Sequence, residues 1–208
     1  MFYIGEERIK IKIKLIDKNM LSIMPMIESL SLCKNKKCDE ETIIDCLKAE
    51  PVPHLSVLEN CWFTFKVEGV SVKTRIQLER HRLFSTMERS TRHINMSEAT
   101  TIVPSNAKNP ELFEQAYSYA KYYYYYLLER EENIEDASYV LPLGVETKFT
   151  LSGNGRVWFE YLSKRMCKKY VQKEHYDLAI GLYSELIRYM SFFKYAIPCL
   201  NCKVDCKK

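Results

Sequence analysis

Gln77-Leu78-Glu79-Arg80-His81-Arg82, followed by Ser90 and Arg92, is the densest polar and cationic stretch inside a region that reads as ordered. Arginine carries a rigid donor fork that matches phosphates, carboxylates and the carbonyl edges of bases and flavins. Residues 70–79 permit a strand by propensity. A helix is preferred because it puts Thr74, Gln77 and His81 near one face. Glu88, Ser90 and Arg92 then add an acceptor, a hydroxyl and a second fork in what reads as a polar loop over 83–105. On these residues alone two readings stay open. One is a solvated basic face, and the other is a contact set for an anionic ligand with a planar ring.

Upstream of this stretch, Ile9, Ile11, Ile13 and Leu15 alternate with Lys10, Lys12 and Lys14, the period of a strand with one wet face. The lysines guard such a strand against edge-to-edge pairing. The apolar residues 20–32 contain Pro25, and their shape stays open. Residues 39–48 read as a short helix with Ile43, Ile44 and Leu47 inward, stopped by Pro51 and Pro53. Residues 61–67, rich in aromatic and branched side chains, read as a strand ended by Gly69.

Downstream, Asn109-Pro110-Glu111 has the chemistry of a helix start: a capping side chain, a proline and an acid. Leu112, Phe113, Ala116, Tyr117, Ala120, Tyr123, Tyr124, Leu127 and Leu128 recur at helical spacing as a core stripe. Tyr122 to Tyr126 make this helix aromatic all round, so its other face is expected to meet another element or subunit. The helix is expected to end at residues 133–135. Leu141-Pro142-Leu143-Gly144 reads as a turn. A helix opens at Asn154-Gly155 and runs to about residue 170. Another spans 174–195, with Leu178, Leu182, Leu186, Tyr189 and Phe193 on its core face. Strands early and helices late give an α+β class.

Asn154, Trp158, Tyr161, Arg165 and Lys169 share one helical face. It suits the wall of a site for rings and phosphates, with Lys148 able to join it. A snorkelled amphipathic surface is the plainer alternative.

The chain has 208 residues and a net charge of +4, enough for one domain over 1–208 with a loose tail from about 199. The mild charge permits an anionic ligand and does not demand a nucleic-acid groove, and no nucleic-acid partner is expected. No apolar run reaches membrane-spanning length, and the acidic Glu6-Glu7 is unlike a signal peptide. A cytoplasmic protein with reduced thiols is expected. Cys199, Cys202 and Cys206 form a tail cluster without a nearby fourth ligand, so a thiol-rich tail is preferred over a metal site. No phosphate-binding glycine loop, two-histidine zinc spacing or nucleophile elbow occurs. Cys61 and Cys167 read as packing residues.

Arg80-His81-Arg82, the seven residues from Leu83 to Arg89, and Ser90 resemble the signature of the flavin-dependent thymidylate synthases, the ThyX family. Gln77, Ser85, Glu88 and Arg92 match its flanking positions. His54-Leu55-Ser56-Val57-Leu58-Glu59-Asn60 with Phe63-Thr64-Phe65, Leu141-Pro142, Asn154 with Arg156, and Arg165 match further motifs, over roughly residues 30–200. The resemblance implies an α+β fold with a mixed sheet core and a helical part, assembled as a homotetramer with active sites at subunit interfaces. It implies conversion of dUMP to dTMP, with 5,10-methylenetetrahydrofolate as one-carbon donor and FAD reduced by NADPH. By the same resemblance Gln77, Arg80, Glu88, Ser90, Arg92, Lys148 and Arg165 correspond to nucleotide-binding residues. Asn60, Arg80, His81, Arg82, Glu88, Asn154, Arg156 and Lys169 correspond to cofactor-binding ones. Arg165, Ser90 and Arg80 are the implied catalytic set, with Arg165 against the uracil edge and Ser90 binding rather than attacking. Asn60 stands where the family has His, Lys148 where it has Arg, His93 for Tyr, Glu160 for Asn, and Lys169 near a flavin-contacting His. Most departures fall on the flavin side, so a diverged nucleotide-binding relative without turnover is the alternative.

Overall fold

The computed structural model describes residues 10–19 and 23–196. Ile9 of the expected strand, the helix stop at Pro198 and the tail cysteines lie outside them. Strand β1 (Lys12–Lys18) is followed by helices α1 (Met24–Lys34) and α2 (Glu40–Lys48). Then come β2 (Trp62–Ser71), α3 (Val72–Leu78), β3 (Ser85–Glu88), α4 (Pro110–Glu129) and α5 (Ile134–Ala137). Strand β4 (Glu146–Asn154) and helices α6 (Gly155–Arg165) and α7 (Lys173–Tyr189) complete the described elements. Strands and helices therefore interleave rather than segregate, but the α+β class stands.

The four strands lie in the order β1-β2-β4-β3. Among the described residues every strand pairing is antiparallel, so the sheet there is not the mixed one expected. Alternation sorts the two faces. Phe63, Phe65 and Val67 of β2 and Phe149 and Leu151 of β4 are buried beneath the helices. Lys12 opposite Glu68, and Glu68 opposite Lys148, carry charge on the other face. β1 lies at an edge, where its lysines suit solvent. Gly69 does not end β2. It sits at a positive φ of 78° inside a bulge, and the strand continues to Ser71.

The core is aromatic. Trp158 of α6 stands edge-on to Phe65, with ring centroids 5.2 Å apart, and its indole nitrogen donates to the Gly153 carbonyl at 2.9 Å. Phe193 meets Phe63 edge-on at 5.8 Å. Full burial of a side chain such as Phe65 contributes about 1.5–3 kcal/mol. Leu178, Leu182 and Leu186 of α7 complete the layer. That helix stops at Tyr189, which is exposed, and a short 3-10 turn carries Phe193 back into the core.

Caps fix the helix starts. Pro25 opens α1, and Asp39 and Thr42 form a capping box on α2, which buries Ile43 and Leu47 as expected. Ser71 caps α3, Asn154 caps α6 and Gln172 caps α7. Asn109 makes no side-chain cap on α4. The expected core stripe of α4 is also absent, because Tyr124 alone is fully buried. Its hydroxyl accepts from the Met96 amide at 3.0 Å within a small second cluster with Ala99, Ala137 and Val145. The helix ends at Glu129, and Asn133 instead caps α5.

Gly155 enters α6 where the chain passes close behind the Leu58 backbone. A Cβ there would collide with the Cys61 sulfur and lie 2.8 Å from the Leu58 carbonyl oxygen. Alanine's higher helix propensity is worth about 1 kcal/mol, but a backbone oxygen cannot swing aside. Gly155→Ala is expected to lower unfolding free energy by about 1–3 kcal/mol in urea titration. A variant as stable as the parent would contradict this packing.

Candidate active site

The cationic stretch is divided between α3 and a tight turn. Helix α3 ends at Leu78, so His81 does not extend its face. The Arg80 and His81 amides close onto the Gln77 and Leu78 carbonyls at 3.3 and 2.9 Å, and the Phe84 amide returns to His81 at 3.2 Å. This turn leaves Arg80 and Arg82 exposed. Their guanidinium groups make no ion pair among the described residues. His81 turns inward, edge-on to Tyr161 at 4.9 Å. Arg165, at the last turn of α6, donates from Nε to His81 Nε2 at 2.8 Å. Gln77 and Arg165 thus converge on the same histidine-lined corner, each half-buried.

A buried layer supports that corner. His175, in the first turn of α7, is 0% exposed, and its Nδ1 lies 3.4 Å from Gln77 Oε1. His175 Nε2 and the Tyr161 hydroxyl are buried without a hydrogen-bond partner. The same helix turn holds α3: Glu174 accepts from the Ser71 amide at 2.6 Å and its hydroxyl at 2.7 Å, and Gln172 accepts from Thr74 at 3.4 Å. Burial, and then the nearby Arg165 and Lys164 charges, push His81 down to about 4. Burial, then Arg165 and His81, push His175 down to about 3. Both rings are therefore neutral at neutral pH, and His81 can accept from a cation only because it is neutral. Burial raises the Tyr161 phenol above its usual range, so it stays protonated.

The expected ligand wall on α6 is not a wall. Trp158 and Tyr161 are both 0% exposed and belong to the core. Helix α6 stops at Arg165, so Lys169 falls in the following turn, exposed, with its ammonium 5.4 Å from the Tyr170 ring. Of that face, Arg165 alone meets the His81 ring.

A second group gathers around β3, a strand inside what was expected to be loop. Glu88 accepts from Thr147 at 2.7 Å and faces Arg75 at 3.5 Å. Arg75 is 6% exposed, ion-paired to Glu79 at 3.0 Å and bonded to Thr86 at 2.9 Å. It is a buried strut that sequence reasoning missed. Ser90 accepts from the Arg92 amide at 3.2 Å, and Arg92 grips Glu135 through contacts of 2.7 and 3.1 Å. The Arg89 amide donates to the Lys148 carbonyl at 2.9 Å, so β3–β4 pairing sets Lys148 opposite Arg89, on the sheet face away from the Glu88 carboxylate, and does not bring it to Glu88 and Ser90. Lys148 lines a shallow cleft with Lys10, Lys12, Glu68, Arg89 and Glu146.

The third group lies around the start of α6. The Asn154 side-chain oxygen accepts from the Val157 amide at 3.0 Å. Arg156 pairs with Glu59 at 2.7 Å and Glu160 at 3.0 Å. Asn60 donates to Ser29 at 2.5 Å. Cys61 is buried and its thiol is pushed up to about 12, which removes it as a nucleophile. Among the described residues no group of three or more His, Cys, Asp or Glu can hold a metal ion. No described helix is long and apolar enough to cross a membrane.

These features define an antiparallel α+β domain whose arginines and buried neutral histidines suit an anionic ligand with a planar ring. Residues 17–190 match a family model described as "Thymidylate synthase complementing protein". The chain is 36% identical over 152 residues to a flavin-dependent thymidylate synthase of Sulfolobus acidocaldarius, covering 71% of this chain and 57% of that protein. One from Saccharolobus solfataricus is 37% identical with the same coverage, and one from Geobacter sulfurreducens 33% over 122 residues, 56% of this chain and 53% of that protein. The chain belongs to this family, the one its Arg80-to-Ser90 motif resembles. It spans little more than half the length of these relatives.

The neutral histidines make stability depend on pH. Unfolded histidine takes up a proton near 6.5, whereas folded His81 and His175 resist until about 4 and about 3. The unfolded state therefore binds more protons through this window, and stability falls as pH drops from about 6.5 toward 4. Melting temperatures from pH 7.5 to 4.5 are expected to decline, with a smaller decline in His175→Phe. Equal declines in both proteins would remove His175 as a source.

Proposed function

We propose that this chain is a flavin-dependent thymidylate synthase that converts dUMP to dTMP, with 5,10-methylenetetrahydrofolate as one-carbon donor and FAD reduced by NADPH. The observation that carries the proposal is Arg165, held by a neutral His81 on the family's signature turn with Gln77 alongside. An arginine fixed through Nε keeps its two terminal nitrogens for a ligand. Placed at a uracil edge, it stabilises the negative charge that develops on the ring when carbon 5 becomes nucleophilic. Partial burial strengthens that effect.

Arg80, Arg92, Ser90 and Lys148 bind the nucleotide in this reading, with Ser90 as a binding hydroxyl. Glu88 is fixed by Arg75 and Thr147, so it orients the β3 end as much as it contacts ligand. The donor set also fits FAD. Exposed Arg80 and Arg82 suit a pyrophosphate, and Arg156, Asn60, Asn154, His81 and Lys169 lie on elements around the same turn or at the start of α6. When bound, the flavin supplies the reducing equivalents. Arg156 meets that role already paired with two carboxylates, those of Glu59 and Glu160. That pairing is the observation that favours the second reading, a nucleotide-binding relative without turnover.

The deciding experiment follows tritium release from carbon 5 of labelled dUMP, with FAD, NADPH and the folate present. Release by the wild-type protein, whose visible spectrum carries a flavin band, is expected. Arg165→Ala should lose roughly 10²–10³-fold in rate. A colourless protein that takes up no added FAD would sink the synthase reading, and dUMP binding without release would favour the second.

The homotetramer, with active sites shared between subunits, is part of the same proposal. Its support is α4, where Tyr119, Tyr122, Tyr123 and Tyr125 are each more than half exposed. Exposed aromatic patches of this kind mark protein contacts. Light scattering is expected to give four chains per particle, and the double variant Tyr122→Ser, Tyr126→Ser a smaller one. A monomeric wild type would refute the assembly.

A further inference from the structure

Both polar side chains that face the proposed nucleotide corner are held from behind by histidines. Gln77 Oε1 sits 3.4 Å from His175 Nδ1, and Arg165 Nε donates to His81 Nε2 at 2.8 Å. His81 must then carry its proton on Nδ1, because Nε2 accepts. Gln77 gains most if His175 likewise donates from Nδ1, which occupies the Gln77 carbonyl and frees its amide N–H groups. His175 is locked in place: it is 0% exposed, its amide caps onto Gln172 at 3.0 Å, and its ring lies 5.8 Å from Tyr161 and 6.4 Å from His81. Nothing in the resemblance assigns this residue a role.

We infer that His175 is a positioning residue for base selection: it fixes Gln77 with its amide N–H groups toward the ligand, and with His81 behind Arg165 this builds an edge made of donors alone. Such an edge accepts a pyrimidine whose ring position 4 is a carbonyl. It opposes one whose position 4 is an amino group, because donor would meet donor. The neutral state of both rings keeps the arrangement in force at neutral pH. The selectivity clause rests on the nucleotide reading above, whereas the histidine geometry does not.

Two measurements test it. Long-range proton–nitrogen NMR on the wild-type protein reads the tautomers, and Nδ1–H is expected for both His81 and His175. An Nε2–H tautomer at His175 overturns the inference, whatever any variant does. Calorimetric titration with dUMP and dCMP then compares wild type, His175→Phe and His175→Gln. His175→Phe is expected to cut the preference for dUMP over dCMP roughly ten-fold, the scale of one misdirected hydrogen-bonding group. His175→Gln, whose amide can donate to Gln77, should restore most of it. A merely structural role would weaken both nucleotides equally in His175→Phe, and that result refutes positioning. A wild-type protein that binds neither nucleotide sinks the nucleotide reading and the selectivity clause, while the tautomers still decide the geometry.

Discussion

The Glu174 carboxylate, gripping the amide and hydroxyl of Ser71, is the contact on which the rest of the site depends. It ties the first turn of α7 to the first turn of α3 across the end of β2. A carboxylate in that position also satisfies the Ser71 amide at the start of a helix, where negative charge is favoured. Gln172 and His175, on either side of it, extend the brace to Thr74 and Gln77. Three contacts from one helical turn therefore set the height and rotation of a helix too short to hold itself. The signature turn hangs from the far end of that helix. Its cations are placed by α7 as much as by their own sequence.

Much of this was legible in the chain. Period-two lysines gave β1, turn chemistry gave 141–144, and the aromatic run at 61–67 gave β2. What was missed has a common cause: tertiary contacts overrode local pattern. Gly69 reads as a strand end, but a bulge absorbs it because β4 pairs on both sides. Ser85 to Glu88 has too little apolar character to announce a strand and forms one because β4 offers an edge. The α6 periodicity is real, but its face goes to the core rather than to a ligand. Trp158 and Tyr161 lie on one face with Arg165, but the sheet claims the rings and leaves the cation at the helix end. Arg75 gave no local signal, since a lone arginine on a short helix looks like surface until its carboxylate partner arrives from β3.

The motif residues fall into three groups, each tied by its own contacts. Gln77, His81 and Arg165 share the buried histidine layer. Glu88, Ser90, Arg92 and Lys148 are organised by β3–β4 pairing and by α5. Asn60, Asn154 and Arg156 gather where α6 begins. Arg80 and Arg82 stand free between the first group and solvent. A division of this kind suits the shared site proposed above, in which each copy of the chain offers separate faces. Tyr119, Tyr122, Tyr123 and Tyr125 of α4, each more than half exposed in the single chain, support the same proposal from another side.

Electrostatics separates the histidine-lined corner from the third group. In that corner, Arg165 pairs with a neutral imidazole rather than a carboxylate. At the start of α6, Arg156 shares two carboxylates, and Glu160 stands one helical turn away from it. An ion pair this exposed contributes little to stability, typically below about 1 kcal/mol. An incoming anion can therefore displace one carboxylate from Arg156 at modest cost, but it meets the remaining negative charge nearby. In the proposed reading, the departures at Glu160 and Lys169 would act on cofactor affinity through charge balance, and Asn60 through its hydrogen bond to Ser29. They leave untouched the hydrogen-bonded corner that Glu174 and His175 hold in place.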